Sequence, residues 1–263
     1  MTDIPLIPRT VLFGNPERAE VLVSPDGAHL SFLAPDEGVL NVWVAPQDEP
    51  GQARAVTADR GRGIRSHAWA YSGRHILYLQ DEAGDENWRV YAVDVESGAS
   101  RDLTPVAGVQ AQIRALSASR PLEAVIGLND RDPQWHDLYI VNLVSGERTL
   151  LLQHDRFADY MIDDDFKVVL AFEMTPDGAL AIVRQAADGE WSPWGEIPPG
   201  DVLTTAHVCV EQGGKRLIFK DSRGRDTAAL VALDADTGES TLLAEDPRAD
   251  AEDVLADPTT HAV

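Results

Sequence analysis

Cysteine, basic charge and long apolar runs are all scarce in this 263-residue sequence. Its one cysteine, Cys209, lies in a His-Val-Cys-Val context, so no internal disulfide can form and the thiol is expected to act as a small buried hydrophobe. Basic residues number 22 against 44 acidic ones, a formal net charge of -22. A chain so charged repels phosphate backbones and anionic bilayer surfaces, so neither nucleic acid nor membrane is expected as a partner. No stretch approaches the roughly 18 apolar residues of a membrane span. The N-terminal stretch from Met1 to Gly14 lacks a charged leader and a long apolar core, so no signal peptide is expected. A reducing, cytoplasmic setting is the resulting expectation. Hydrophobic content is 44%, enough for a sizeable core and unlike a disordered chain.

What the sequence does contain is a repeat. Leu138-Tyr139-Ile140-Val141 is β-branched and aromatic, as strands are. It is followed at fixed offsets by Asn142, Ser145 and Gly146. The same offsets recur at Asp94, Ser97, Gly98 and at Asp234, Thr237, Gly238. The glycines lie 48 and then 92 residues apart, close to one and two steps of 46. A period of that size indicates a repeat architecture. The three glycines are expected in equivalent turns at positive φ, which glycine reaches without a Cβ clash.

Other turn signals support the repeat. Ser24-Pro25-Asp26-Gly27, Tyr71-Ser72-Gly73-Arg74 and Thr175-Pro176-Asp177-Gly178 each read as a reversal ahead of a returning apolar strand. No window sustains a 3.6-residue period with caps, so helix should be sparse. Short strands at regular spacing indicate an all-β fold, and about four strands per 46 residues is the size of one propeller blade. The reading is a β-propeller of four-stranded blades over 1–263, with blades at roughly 20–58, 65–105, 112–153, 167–204 and 206–245. A sixth begins near 251, with Asp257-Pro258-Thr259-Thr260 at its first turn, which makes an incomplete ring. Such a ring is expected to leave one apolar face bare on each end blade.

Those turns, the stretch GDENWRVYAVD (84–94) and the stretch NDRDPQWHDLYIVNLVSGE (129–147) resemble the propeller of the prolyl oligopeptidase family of serine peptidases, which includes acylaminoacyl-peptidases and dipeptidyl-peptidases. The resemblance covers essentially the whole chain, but only the amino-terminal half of a typical member. It implies a partner α/β-hydrolase domain in the same parent chain, which carries the catalytic Ser, Asp and His. It also implies short peptide substrates, to which the propeller restricts access. The nucleophile elbow Gly-x-Ser-x-Gly is absent from this sequence. Gly98-Ala99-Ser100-Arg101-Asp102 comes nearest and lacks the final glycine. No catalytic residue can therefore be assigned, and the chain alone is not expected to hydrolyse peptides.

Other constellations read as structure rather than chemistry. His136, Asp137 and Ser145 are the residue types of a triad without its spacing. Asp130, Asp132 and Asp137 lack the glycine and terminal glutamate of a calcium loop. Asp163-Asp164-Asp165 reads as a solvated loop between blades. Gly213-Gly214-Lys215 lacks the rest of a phosphate loop. Asp81, Glu82, Asp85 and Glu86 form an acidic hairpin tip, suited in a peptidase to a substrate's positively charged amino terminus but equally at home in water. Trp191 and Trp194, flanking Pro193, make either an exposed ledge or packing under a loop. No cofactor or metal site is expected. Two functions stay open: a non-catalytic, substrate-gating propeller of such a peptidase, or a stand-alone TolB-like propeller that binds protein or peptide.

Overall fold

The structure is a computed structural model that describes residues 6–14, 16–186, 189–211 and 213–263. The first five residues of the N-terminal stretch lie outside the described residues. Strands β1 (Ala19–Val23), β2 (His29–Asp36), β3 (Val39–Pro46) and β4 (Arg54–Ala55) form the first sheet. The second comprises β5 (His67–Trp69), β6 (His75–Gln80), β7 (Arg89–Asp94) and β8 (Ser100–Asp102). The third comprises β9 (Ala111–Leu116), β10 (Glu123–Asp132), β11 (Trp135–Asn142) and β12 (Arg148–Leu152). In the fourth are β13 (Asp159–Ile162), β14 (Val168–Met174), β15 (Leu180–Gln185) and β16 (Trp191–Ile197), and in the fifth β17 (Ala206–Val210), β18 (Arg216–Asp221), β19 (Ala229–Asp234) and β20 (Ser240–Ala244). Each sheet is an antiparallel meander in chain order, as a propeller blade is. Helix is limited to α1 (Arg9–Phe13) and a single 3-10 turn among the described residues.

Two compact units carry these sheets: Met1–Gly108 holds the first two and Val109–Val263 the other three. Alternation along the middle strands explains the packing inside each unit. In the fifth sheet, Leu217, Phe219, Val231 and Leu233 share one core with Met161, Leu170, Phe172 and Ile182 of the fourth. Ile218, Leu230 and Ala232, the alternate residues, face the other way. Each fully buried side chain of this kind contributes about 1.5–3 kcal/mol, so a sheet needs cover on both faces.

The two end sheets meet that need locally. Ala251 and Val254 pack on Ile218, Leu230 and Ala232, and the Ala251 amide donates to the Ala228 carbonyl. On the first sheet Phe32, Ala34 and Ala45 are buried, with the Arg18 guanidinium over the Phe32 ring. The bare end faces expected from the sequence are therefore not found on these residues.

The third-to-fourth-strand turns match as the repeat predicts. Gly98, Gly146 and Gly238 have φ of 72°, 75° and 71°. Each glycine amide donates to the carbonyl four residues back, at 2.8 Å. In each turn the Asp94, Asn142 or Asp234 side chain accepts the next two free amides. A fourth copy lies at Asp257, where the sequence predicts the first turn of a sixth blade. Asp257 accepts the Thr259 and Thr260 amides, and His261 holds the glycine position at φ 56°. No strand forms from 251 to 263. The segment instead lies against the fifth sheet.

The fourth sheet also differs from the sequence reading. It starts at Asp159, not near 167, and Thr175-Pro176-Asp177-Gly178 joins its second and third strands rather than its first and second. The strand Asp159–Ile162 is short, begins with an acid and runs into three more, so it reads as a loop. Tyr160 and Met161 are nevertheless buried and pair with Ala171 and Leu170. Asp163-Asp164-Asp165 is thus a hairpin turn within a sheet. The Asp163 carboxylate caps the Asp165 and Lys167 amides at 3.1 and 2.8 Å. The outer half of this sheet is more regular than expected. Pro193 sits in the seven-residue strand β16, at the sheet edge, where a missing N–H costs no ladder bond.

Candidate functional site

In a four-strand meander the hairpin between the second and third strands and the link to the next sheet leave from one edge. The other two turns leave from the opposite edge. The acidic tip 81–86 therefore shares its edge with the link 57–66. Arg62 reaches across that edge and donates to Asp81 at 2.9 Å, where the Asp81 side chain is only 2% exposed. Arg89 pairs with Glu82 at 3.4 Å. Asp85 accepts the Glu82 and Asn87 amides and the Asn87 side chain. The Asn87 side-chain bond, with help from those amides, holds the Asp85 carboxyl below its usual value. Beside these groups lies a cavity of about 440 Å³, lined by Asp59, Arg62, Asp81, Glu82, Arg89 and Tyr91 among others. The tip is thus a folded ion-pair cluster rather than an open acidic patch. Glu86, at φ 59°, is the member whose carboxylate has no partner among the described residues.

The aspartates of 129–147 divide into three separate tasks. Arg131 forks onto Asp137 at 2.7 and 2.9 Å, and the Asp137 side chain is 2% exposed. Asp137 also accepts the His154 amide at 3.2 Å. Arg131 and that amide hold the Asp137 carboxyl low against the opposing effect of burial. Asp130 accepts from the Tyr139 hydroxyl, and Asp132 caps the Gln134 amide. Ser145 lies at the opposite edge of this sheet, in the turn after β11, where its hydroxyl accepts the Glu147 amide. His136 and Asp137 are adjacent in a strand and point to opposite faces. The three triad-type residues are not brought together.

The remaining motifs also resolve into packing and turns. The Gly214 amide donates to Glu211 in the hairpin between β17 and β18. Trp194 donates its indole N–H to the Ala235 carbonyl, and Trp191 packs on Phe157 with ring centroids 4.6 Å apart. Cys209 is half-buried and donates to the His261 carbonyl; burial pushes its thiol up to about 11. Ser100 bonds the Tyr78 hydroxyl at 2.8 Å at the start of β8.

Sequence reasoning misses two polar joints between sheets. In the first unit, Ser31 of β2 and His67 of β5 share a 2.8 Å hydrogen bond, and both side chains are buried. In the second, innermost strands of three successive sheets are tied together. Arg114 of β9 donates to Asp159 of β13 at 2.9 Å, and His207 of β17 donates to the other Asp159 oxygen at 3.1 Å. Gly127 makes room for Arg114, since a Cβ there would meet His136 and the Arg114 Nε at 3.3 and 3.4 Å. These residues lie 36, 45 and 48 positions apart, spacings that carry meaning only once the blade period is known.

Among known proteins, the chain is 50% identical over 259 residues to dipeptidyl aminopeptidase BIII of Pseudoxanthomonas mexicana, covering 98% of this chain and 38% of that protein. It is 29% identical over 272 residues to dipeptidyl peptidase family member 6 of Caenorhabditis elegans, covering 97% of this chain and 37% of the other. The chain thus spans well under half the length of these relatives. No family model matches it. The β-propeller domain of the trilobed protease of Pyrococcus furiosus superposes with a TM-score of 0.56 at 17% identity, over 90% of this chain and 73% of that one. With that likeness along almost its whole length, and five four-stranded meanders for a fold, the chain matches a portion of the β-propeller found in the prolyl oligopeptidase family.

Proposed function

We propose that this chain is the substrate-gating part of a peptidase that releases dipeptides from short peptides, and that an α/β-hydrolase domain of the same polypeptide does the chemistry. The observation that carries this reading is the 50% identity to a dipeptidyl aminopeptidase along nearly the whole chain. The absence of a Gly-x-Ser-x-Gly elbow fits a division of labour in which this portion selects and another cuts. Within the unit 1–108, the folded loop 81–86 gives a rim of fixed ion pairs past which a peptide would enter. Glu86 is the group on that rim suited to a peptide's ammonium end.

The test uses the full reading frame beside residues 1–263. The full polypeptide should hydrolyse dipeptidyl amides and bind a serine-directed phosphonate one-to-one, while 1–263 does neither. It should also cleave a tetrapeptide at least tenfold faster than an unfolded protein. Stoichiometric labelling of 1–263 would end the division of labour, and equal rates on long and short substrates would end the gating role. A reading frame without a nucleophile elbow would turn the choice to a stand-alone binding module.

A further inference from the structure

The outermost strand of each sheet has one edge without a neighbour, a template for pairing with any extended chain. Four of the five outermost strands carry a guard. Strand β4 has two residues, one of them Arg54. Strand β8 carries Arg101 and Asp102. Strand β12 begins with Arg148, whose guanidinium lies 5.8 Å over the Tyr139 ring. Strand β16 has Pro193 and Glu196.

Strand β20 has none of these. Ser240-Thr241-Leu242-Leu243-Ala244 is uncharged and free of proline, and all five residues are exposed. Leu242 is 47% and Leu243 37% exposed. No hydrogen bond runs from its free edge to any other described strand. The comparison with β12 is close, because Gly146-Glu147-Arg148-Thr149-Leu150-Leu151 and Gly238-Glu239-Ser240-Thr241-Leu242-Leu243 are the same repeat position. Both strands slip register at the second leucine, so that bulge does not distinguish them. Within these six positions they differ where Ser240 replaces the guarding arginine.

We propose that β20 is a strand-addition site for an extended segment of another polypeptide, apolar in its centre and basic at its ends. Strand addition would satisfy the free backbone groups, and alternate apolar side chains would cover Leu242 and Leu243. The basic ends follow from the flanks. Glu239 precedes the strand without an ion-pair partner among the described residues, and Glu245 and Asp246 follow it. Glu245 shares its charge with Arg225 at 2.6 Å; the Asp246 carboxylate accepts the Arg248 amide at 2.8 Å, and its ion-pair partner among the described residues is the distant Arg248 guanidinium at 3.9 Å. A second copy of this chain is the wrong occupant on charge, since each copy carries -22.

The probe is a fluorescein-labelled decapeptide with a Val-Thr-Val-Thr-Val-Thr centre and two lysines at each end, titrated into residues 1–263 and read by anisotropy. Saturable binding is expected, with hydrogen-exchange protection appearing at 240–244. Leu242→Lys should weaken binding at least tenfold, while Leu150→Lys on the guarded strand leaves it within twofold. Both sites are exposed, and circular dichroism checks that each variant folds. Three results would overturn the proposal. One is equal binding by a decapeptide with glutamate ends. Another is equal loss in the two lysine variants, which would mark unspecific attraction to an acidic surface. The third is a dimer of the chain that Leu242→Lys dissolves and the decapeptide does not compete, which would make a second copy the occupant.

Discussion

Two joints between neighbouring sheets, one in each compact unit, use opposite chemistry. In 1–108 the joint between β2 and β5 is neutral and dry: Ser31 and His67 are both buried and bond each other. The nearest carboxylate, Glu20, stands 3.9 Å from the other imidazole nitrogen. In 109–263 the joint is charged and touches water, with the side chains of Arg114, Asp159 and His207 exposed to 19%, 47% and 26%. A dry neutral pair is strong as long as neither partner must take a charge. A wet ion pair accepts charge but is weakened by solvent and salt. The same architectural task, holding blade to blade, therefore responds to different conditions in the two units.

The largest expected effect separates them by pH. Burial holds the His67 imidazole down to about 4, against an ordinary 6.5. The unfolded chain thus takes up this proton first as pH falls. The stability that neutral His67 contributes is complete above pH 6.5, declines as pH drops towards 4 and is gone below that. The full loss is roughly 3 kcal/mol, from a shift of about 2.5 units at 1.36 kcal/mol each. His75 in the same unit and His136 and His154 in the other are also held low by burial, so the measurement must be a difference. Melting curves from pH 7.5 to 4.5 for the natural chain and for His67→Gln should diverge in slope, with exchange of amides in 1–108 accelerating more in the natural chain than in the variant. Parallel pH profiles would show that this joint is not dry.

That joint is illegible in the sequence for a physical reason. His67 sits in the three-residue strand β5, and its partner Ser31 lies 36 residues away on a strand that reads only as apolar. Spacing between strands marks blades, but it does not say which side chains meet across a joint. The blades themselves are legible because turn chemistry is local. An acid or amide, a hydroxyl and a glycine at fixed offsets satisfy their own amides, so Gly98, Gly146 and Gly238 match one another on residue type and spacing alone. The same logic shows why the turn at Asp257 escapes correct assignment. His261 takes the left-handed position without being glycine, so only the hydrogen-bond pattern betrays it. The strand at Asp159 escapes notice because its sequence is dominated by the acid that reaches out to Arg114 and His207. The residue that ties three sheets together is thus also the one that makes its strand look like a loop.

A second test sharpens the comparison at the dry joint. Ser31→Ala removes the hydroxyl and leaves the buried Nε2 of His67 with no partner, which costs about 1–3 kcal/mol because the lost bond is not replaced by water. Chemical denaturation of the variant and the natural chain gives this number directly. A loss below about 0.5 kcal/mol would mean that water reaches His67 and takes the place of the hydroxyl.

The smallest effect belongs to the wet joint, and its sensitivity to salt matters more than its size. Asp159→Asn keeps an acceptor oxygen for Arg114, turns an amide donor towards the His207 Nε2, which can accept it as a neutral imidazole, and removes the charge. The Arg114 guanidinium is mostly buried, and burial already pulls its pKa below the ordinary value, with Asp159 partly restoring it. Were the whole pair desolvated, losing the carboxylate would cost on the order of 3–5 kcal/mol. Asp159 is about half exposed, however, so water and the retained acceptor compensate, and the expected loss is about 1 kcal/mol or less. Because solvent reaches the pair, raising the salt from 0.05 to 0.5 M should shrink the difference between variant and natural chain by about half, as the screening length falls to about 4 Å. The Ser31→Ala difference, measured alongside, should not move, since no charge is involved. A loss above about 2 kcal/mol at Asp159 that is indifferent to salt would place the ion pair in the same dry regime as Ser31 and His67. The two units would then share one kind of joint, with the difference lying only in which groups each unit buries.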